Sequence, residues 1–221
     1  MTIIKLKIKT DCPEALKKDD TFLDAIQLSR IVNALMSNLR SCYNVNNNDR
    51  LLDAKDRIDL LIAHGALMYE GTREFSKMCC RLKLLPLWCN DTIDSKWLTK
   101  EIGNGDSFRN TVLKIVRDKL FFHFDRDIIS NTLAYFNFGK EIIFVMGKSP
   151  TRGDTIYSFT DGLILTHLVN ILGKHGDPML EYEKFENQII VFSDKLCSLF
   201  DNIIHELIKD KQELEYGEIP I

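Results

Sequence analysis

Apolar residues in this chain recur mostly at helical spacing, and only a few short windows alternate. Leu23, Ile26, Leu28, Ile31, Leu35 and Leu39 follow the capping groups Asp19, Asp20 and Thr21, which predicts a first helix over Thr21 to Tyr43. The polar run Asn44 to Asp49 is a loop. A second helix is predicted from about Leu51 to Tyr69, with helical character resuming up to Leu85 before Pro86 stops it. The segment Trp88 to Gly105 is less regular, and Gly103-Asn104-Gly105 breaks it. Asp106 or Ser107 then caps a helix whose stripe is Phe108, Val112, Ile115, Val116 and Leu120. Shorter helical patterns cover Asp127 to Phe138 and Leu163 to Leu172.

The last helix has the clearest pattern. Tyr182, Phe185, Ile189, Phe192, Leu196, Leu199 and Ile203 step by threes and fours, and neither Gly nor Pro occurs from Met179 to Leu214. A second stripe of Ile190, Cys197, Phe200, Ile204 and Leu207 widens that face, more than one neighbouring helix need cover, so a homodimer is expected. Alternation marks Ile4, Leu6 and Ile8 between lysines, an edge strand. It also marks Glu141 to Lys148 and Asp154 to Thr160, which flank the turn-forming Ser149 to Gly153. The expected fold is mainly α: a single domain over 1–221, a helical bundle with a long C-terminal helix and one β-hairpin at about 141–160.

Composition narrows the function classes. At 221 residues, 45% apolar and 28% charged, the chain can bury a sizeable core. Its net charge of −3 means that any RNA contact is local or transient. No window reaches the ~20 apolar residues of a membrane span, and the start carries no signal-peptide pattern. The six cysteines form no CxxC pair, as expected of reduced thiols in a cytoplasmic protein.

Most chemical motifs fail on spacing. Gly147-Lys148-Ser149 lacks the earlier glycine of a phosphate-binding loop, where Ile142 stands. His205-Glu206 would need a second histidine at Lys209 to hold zinc. Gly103 and Gly105 lack the third glycine and the βαβ setting of a dinucleotide fingerprint. Cys79, Cys80 and Cys89, even taken with His64, match no common zinc spacing. No metal or cofactor is therefore expected.

One run survives: RDKLFFHFD, Arg117 to Asp125. Arg117, Asp118 and His123 stand inside a strongly apolar stretch, where polar side chains are costly unless paired or functional. A permanent cation beside a group titrating near neutrality is suited to phosphodiester chemistry. Arg57 and His64 repeat part of the pattern, but Ile58 follows that arginine. On a regular helix Arg117 and His123 lie roughly 120° apart, and His123 falls in line with Val112 and Val116. A core histidine bonded to a neighbouring helix would sit the same way. The catalytic alternative needs the helix to end or bend near Phe121.

The Arg117-Asp118-x4-His123 pattern resembles that of the HEPN superfamily, and RDKLFFHFD is similar to the RNKxxFHYD run of a set of helical bacterial proteins. Ser29 to Leu35 and Tyr69 to Gly71 resemble that set as well, so the likeness covers about a third of the chain. The resemblance implies a helical bundle, often dimeric, and a metal-independent endoribonuclease acting as a toxin or defence effector. It also implies a catalytic set of Arg117, Asp118 and His123, an RNA substrate, and an antitoxin or other helical protein as partner. Some members have lost catalysis, so a non-catalytic dimerisation or interaction module is the alternative.

Overall fold

The computed structural model describes residues 2–8, 16–44, 50–81, 93–121, 144–145, 156–157, 167, 178–208, 211 and 214–220. These are mainly α-helical. Helix α1 spans Asp20–Asn44, α2 Arg50–Arg81 and α3 Ile93–Gly103. Helix α4 covers 108–121 and contains two π-helical segments, Arg109–Leu113 and Val116–Phe121. Helix α5 spans Pro178–Ile208. Strand β1, Thr2–Ile8, pairs antiparallel with β4, Leu214–Pro220, in a register running from Thr2 opposite Pro220 to Ile8 opposite Leu214. Within the window where a hairpin was expected, β2 (Phe144–Val145) pairs with β3 (Ile156–Tyr157), and the rest of 141–160 lies outside the described residues. So do the expected helices at 127–138 and, apart from residue 167, at 163–172. Among the described residues no helix is long and apolar enough to cross a membrane.

All five helices feed one core. Leu28 and Leu35 of α1, Leu61 and Met68 of α2, Leu98 of α3, Leu113 and Val116 of α4, and Phe185, Ile189 and Phe200 of α5 are buried together. Phe75 and Phe200 meet at 5.4 Å between ring centroids. Trp97 meets Phe192 edge-on at 4.7 Å, and Phe108 adds a ring at 5.8 Å. Two glycines let the helices approach closely. A Cβ on Gly71 would stand 2.8 Å from Ile31 Cγ2 of α1, and one on Gly65 would stand 3.1 Å from Val116 Cγ1 of α4.

The α5 seam is buried within the chain: Phe185, Ile189, Phe192, Leu196, Leu199 and Ile203 are all inside, with Cys197 and Phe200 of the second stripe. The chain's own helices therefore cover the seam itself, while Ile190, Ile204 and Leu207 of the second stripe are partly buried. The α1 pattern is shifted. Ala25, Leu28, Val32, Leu35, Leu39 and Cys42 form the buried stripe, while Leu23 and Ile26 are exposed. Helix α2 is continuous across Tyr69 rather than resuming after it. Helix α3 occupies part of the segment that looked irregular.

Ser107 caps α4, as one of the two expected candidates: its Oγ accepts the Asn110 N–H at 3.2 Å. Asn110 completes the corner with its own amide. Nδ2 reaches the carbonyls of Glu101, Ile102 and Asn104 at 3.2, 3.2 and 2.7 Å, and the Glu101 carbonyl also accepts from Ser107 Oγ at 2.6 Å. Of the six cysteines, Cys42 and Cys197 are buried free thiols.

Candidate functional site

Arg117 and Asp118 lie on the second π-helical segment of α4, Val116–Phe121. Neither is a core residue; their side chains are 29% and 32% exposed. They touch each other, Arg117 Nη1 donating to Asp118 Oδ1. Arg117 also reaches across to α2, where its Nε donates to Glu70 Oε1 at 2.6 Å. The hydrogen bond to Asp118, and then that to Glu70, push the already high pKa of Arg117 further up, so it is a cation at every accessible pH. His123, the third member of the expected set, lies outside the described residues.

The ion pairs continue along α2. Glu70 Oε2 meets Arg73 Nη2 at 2.6 Å, and Glu74 Oε1 meets Lys77 Nζ at 2.6 Å. Gln27 of α1 donates to Glu74 Oε2 at 3.2 Å. A band of alternating charge thus links α4, α2 and α1. The three sequence segments on which the resemblance rests meet here. Glu70 of the Tyr69–Gly71 segment holds Arg117, and Gly71 abuts Ile31 of the Ser29–Leu35 segment.

Arg57 and His64 do not form a second copy of the site. Arg57 is half-exposed and paired with Glu186 of α5, its Nε donating to Oε1 at 3.0 Å. His64 is fully buried and shares a 2.9 Å hydrogen bond with Ser193 Oγ. Burial holds its pKa down at about 4, so it is neutral at pH 7.

Sequence reasoning passed over Arg109. It is buried under the first turn of α4, with its guanidinium 4.6 Å from the centre of the Tyr69 ring. Nε donates to Thr72 Oγ1 at 2.7 Å and Nη1 to Asn110 Oδ1 at 2.6 Å. Burial lowers its pKa, opposed by Tyr69 and Glu101. It ties α4 to α2 and to the α3 corner. A shallow groove of about 300 Å³ lies nearby, floored by Trp97, Phe108 and Phe192 and edged by Glu101 and Lys195.

Among the described residues no three His, Cys, Asp or Glu side chains gather closely enough to hold a metal ion. Compared with protein-family models, curated proteins and solved structures, the chain matches none of them.

Proposed function

We propose that this chain is a HEPN-like, metal-independent endoribonuclease of the toxin or defence-effector kind, with Arg117, Asp118 and His123 as its catalytic set. The observation that carries the reading is the placement of Arg117 and Asp118: adjacent, partly exposed, and on a helix surface rather than in the core. There the guanidinium can meet a phosphate from solvent. The meeting of the Ser29–Leu35 and Tyr69–Gly71 segments in and beside the same band supports it.

In this mechanism His123 removes the proton from a ribose 2′-hydroxyl. The 2′-oxygen bonds to the adjacent phosphorus, and the bond from phosphorus to the 5′-oxygen breaks. The leaving 5′-oxygen takes a proton from an acid on the opposite side, because displacement is in-line. Arg117 neutralises the charge that grows on the phosphoryl oxygens, and Asp118 orients Arg117. A second histidine, from a second copy of the chain, would supply the acid. Because the α5 seam is already filled, that dimer forms on another face. The cell compartment is the cytoplasm, and the masking partner is an antitoxin or another helical protein.

The test is cleavage of single-stranded RNA in excess chelator. Wild type is expected to leave a 2′,3′-cyclic phosphate and to spare 2′-O-methyl RNA. His123→Ala and Arg117→Ala should each abolish cleavage, with the double variant no worse. Equal cleavage by wild type and a natively melting His123→Ala would overturn the reading.

A second reading has its own observation. Arg117 is bound to carboxylates on two helices, as an interhelix clamp would be. A non-catalytic helical interaction module needs nothing more from it. Wild-type protein that melts cooperatively and cuts no RNA would favour that reading.

A further inference from the structure

Glu70 stands between two guanidiniums. Its Oε1 accepts from Arg117 Nε at 2.6 Å, and its Oε2 meets Arg73 Nη2 at 2.6 Å. Two oxygens on one atom, each held by a different arginine, is also how the non-bridging oxygens of a phosphodiester are gripped. We propose that Arg73 is a second phosphate-binding arginine, and that Glu70 occupies the Arg73–Arg117 clamp until an RNA phosphate displaces it. The identity of the polyanion rests on the ribonuclease reading; the clamp itself rests on the geometry.

The clamp is reachable. The side chains of Arg73, Glu70 and Arg117 are 43%, 27% and 29% exposed, so a phosphate can enter without opening the core. The resting grip on Arg73 is also incomplete. Nη2 alone serves both Glu70 at 2.6 Å and Glu74 at 3.6 Å, and the enclosed Nε has no acceptor among the described residues. An arginine fork is most strongly held two-pronged, so a one-pronged, partly exposed pair gives way at small cost. Glu70 shares no hydrogen-bonding proton with the reaction described above; its part is to hold the arginines in place and to be displaced.

A purely structural ion pair predicts the opposite response to neutralising Glu70. Loosening an α2–α4 brace would leave RNA binding unchanged or weaker, whereas removing a competitor for the clamp strengthens it. The experiment measures binding of a single-stranded 2′-O-methyl oligonucleotide, which cannot be cut, by fluorescence anisotropy over a range of salt. Glu70→Gln should bind about twofold to fivefold tighter than wild type. Arg73→Gln should bind about tenfold more weakly, with a salt slope shallower by about 0.7 for the lost phosphate contact. Arg57→Gln, in a pair elsewhere on the surface, should match wild type. Each variant is first melted to show native-like cooperativity, and Arg73→Lys, which keeps the charge and loses the fork, carries the test should Glu70→Gln fold poorly; it should fall between wild type and Arg73→Gln.

Unchanged affinity and slope in Arg73→Gln would overturn the clamp, as would unchanged or weaker binding by a well-folded Glu70→Gln or no binding by wild type at low salt. The cleavage assay judges the ribonuclease reading separately. Arg73-dependent binding without cleavage would keep the clamp and remove the nuclease.

Discussion

Tyr182 Oη and His64 Nδ1 are both enclosed with no hydrogen-bond partner among the described residues. A buried polar atom left unpaired costs free energy that an apolar group of the same shape does not. Tyr182→Phe should therefore raise stability, by about 1 kcal/mol, seen as a higher denaturation midpoint at unchanged slope. A lower midpoint would mean that the hydroxyl has a partner. His64 makes a pH prediction. Its folded pKa of about 4 lies below the ordinary 6.5 of the unfolded chain. Stability is thus complete above pH 6.5 and falls as pH drops toward 4, because the unfolded state takes the proton first. The loss amounts to roughly 3 kcal/mol. Urea titrations of wild type and His64→Gln from pH 7 to 4 should differ in slope by about one proton; parallel curves would exclude His64 as the source. At this scale the sequence showed less. Arg57-x6-His64 looked like a variant of the Arg117 pattern, and only packing reveals that His64 faces Ser193 while Arg57 faces Glu186.

Helices were legible where one face is buried all along. The α5 seam reads directly from the sequence because each of its threes and fours is filled by a neighbour. In α1 the pattern was ambiguous, since Leu23 and Ile26 are as apolar as the residues that the core takes, and only the contacts of α2 and α5 select Leu28, Val32 and Leu35. Helix α3 was missed because it spans 11 residues and, among its described side chains, only Leu98 is fully buried, too little for periodicity to register. Strand β4 was missed because Gly217 and Pro220 read as breakers, and its partner is at the far end of the chain. In α4 the π-helical segments change the angle per residue, so a regular wheel misjudges which directions Arg117 and its neighbours take. The α1–α2 crossing carries a prediction of its own. Gly71→Ala gains about 1 kcal/mol of helix propensity, yet its new methyl meets Ile31 Cγ2 at 2.8 Å. Net destabilisation is expected, and Ile31→Ala in the same chain should recover part of it, a favourable coupling of about 1 kcal/mol in a double-mutant cycle. Additive losses would show that the helices separate freely at this point.

Across the whole molecule, Lys211, just beyond α5, is fastened to the start of α1. Asp19 Oδ1 accepts from the N–H groups of Thr21 and Phe22 at 3.0 and 3.1 Å, and Lys211 Nζ pairs with Oδ2 and donates to Thr21 Oγ1 at 2.5 Å. Burial raises the pKa of Asp19, but the bonds from Lys211, Thr21 and Phe22 outweigh it and hold the value at about 2. This contribution is complete above about pH 4 and is lost as pH falls through 2, below the window in which His64 acts. Asp19→Ala should cost about 1 kcal/mol through the lost cap and should flatten the acid limb of the stability curve; an unchanged limb would locate the acid sensitivity elsewhere. Of the residues around the candidate site, Arg117 and Asp118 stood out in the sequence and His123 lies outside the described residues; the contacts of Glu70 and Arg73 were not legible, because charges at helical spacing on α2 look like any solvated face until α4 is laid against them. The β1–β4 register has a further consequence, for how the protein is made. Thr2 pairs with Pro220, so β1 leaves the ribosome some two hundred residues ahead of its mate. At about 5–20 residues per second that is a wait of roughly ten to forty seconds. The helices can pack during this interval, while β1 stays an open edge with its backbone groups unpaired, and it is then that a chaperone, or another nascent copy, has its chance to take the strand.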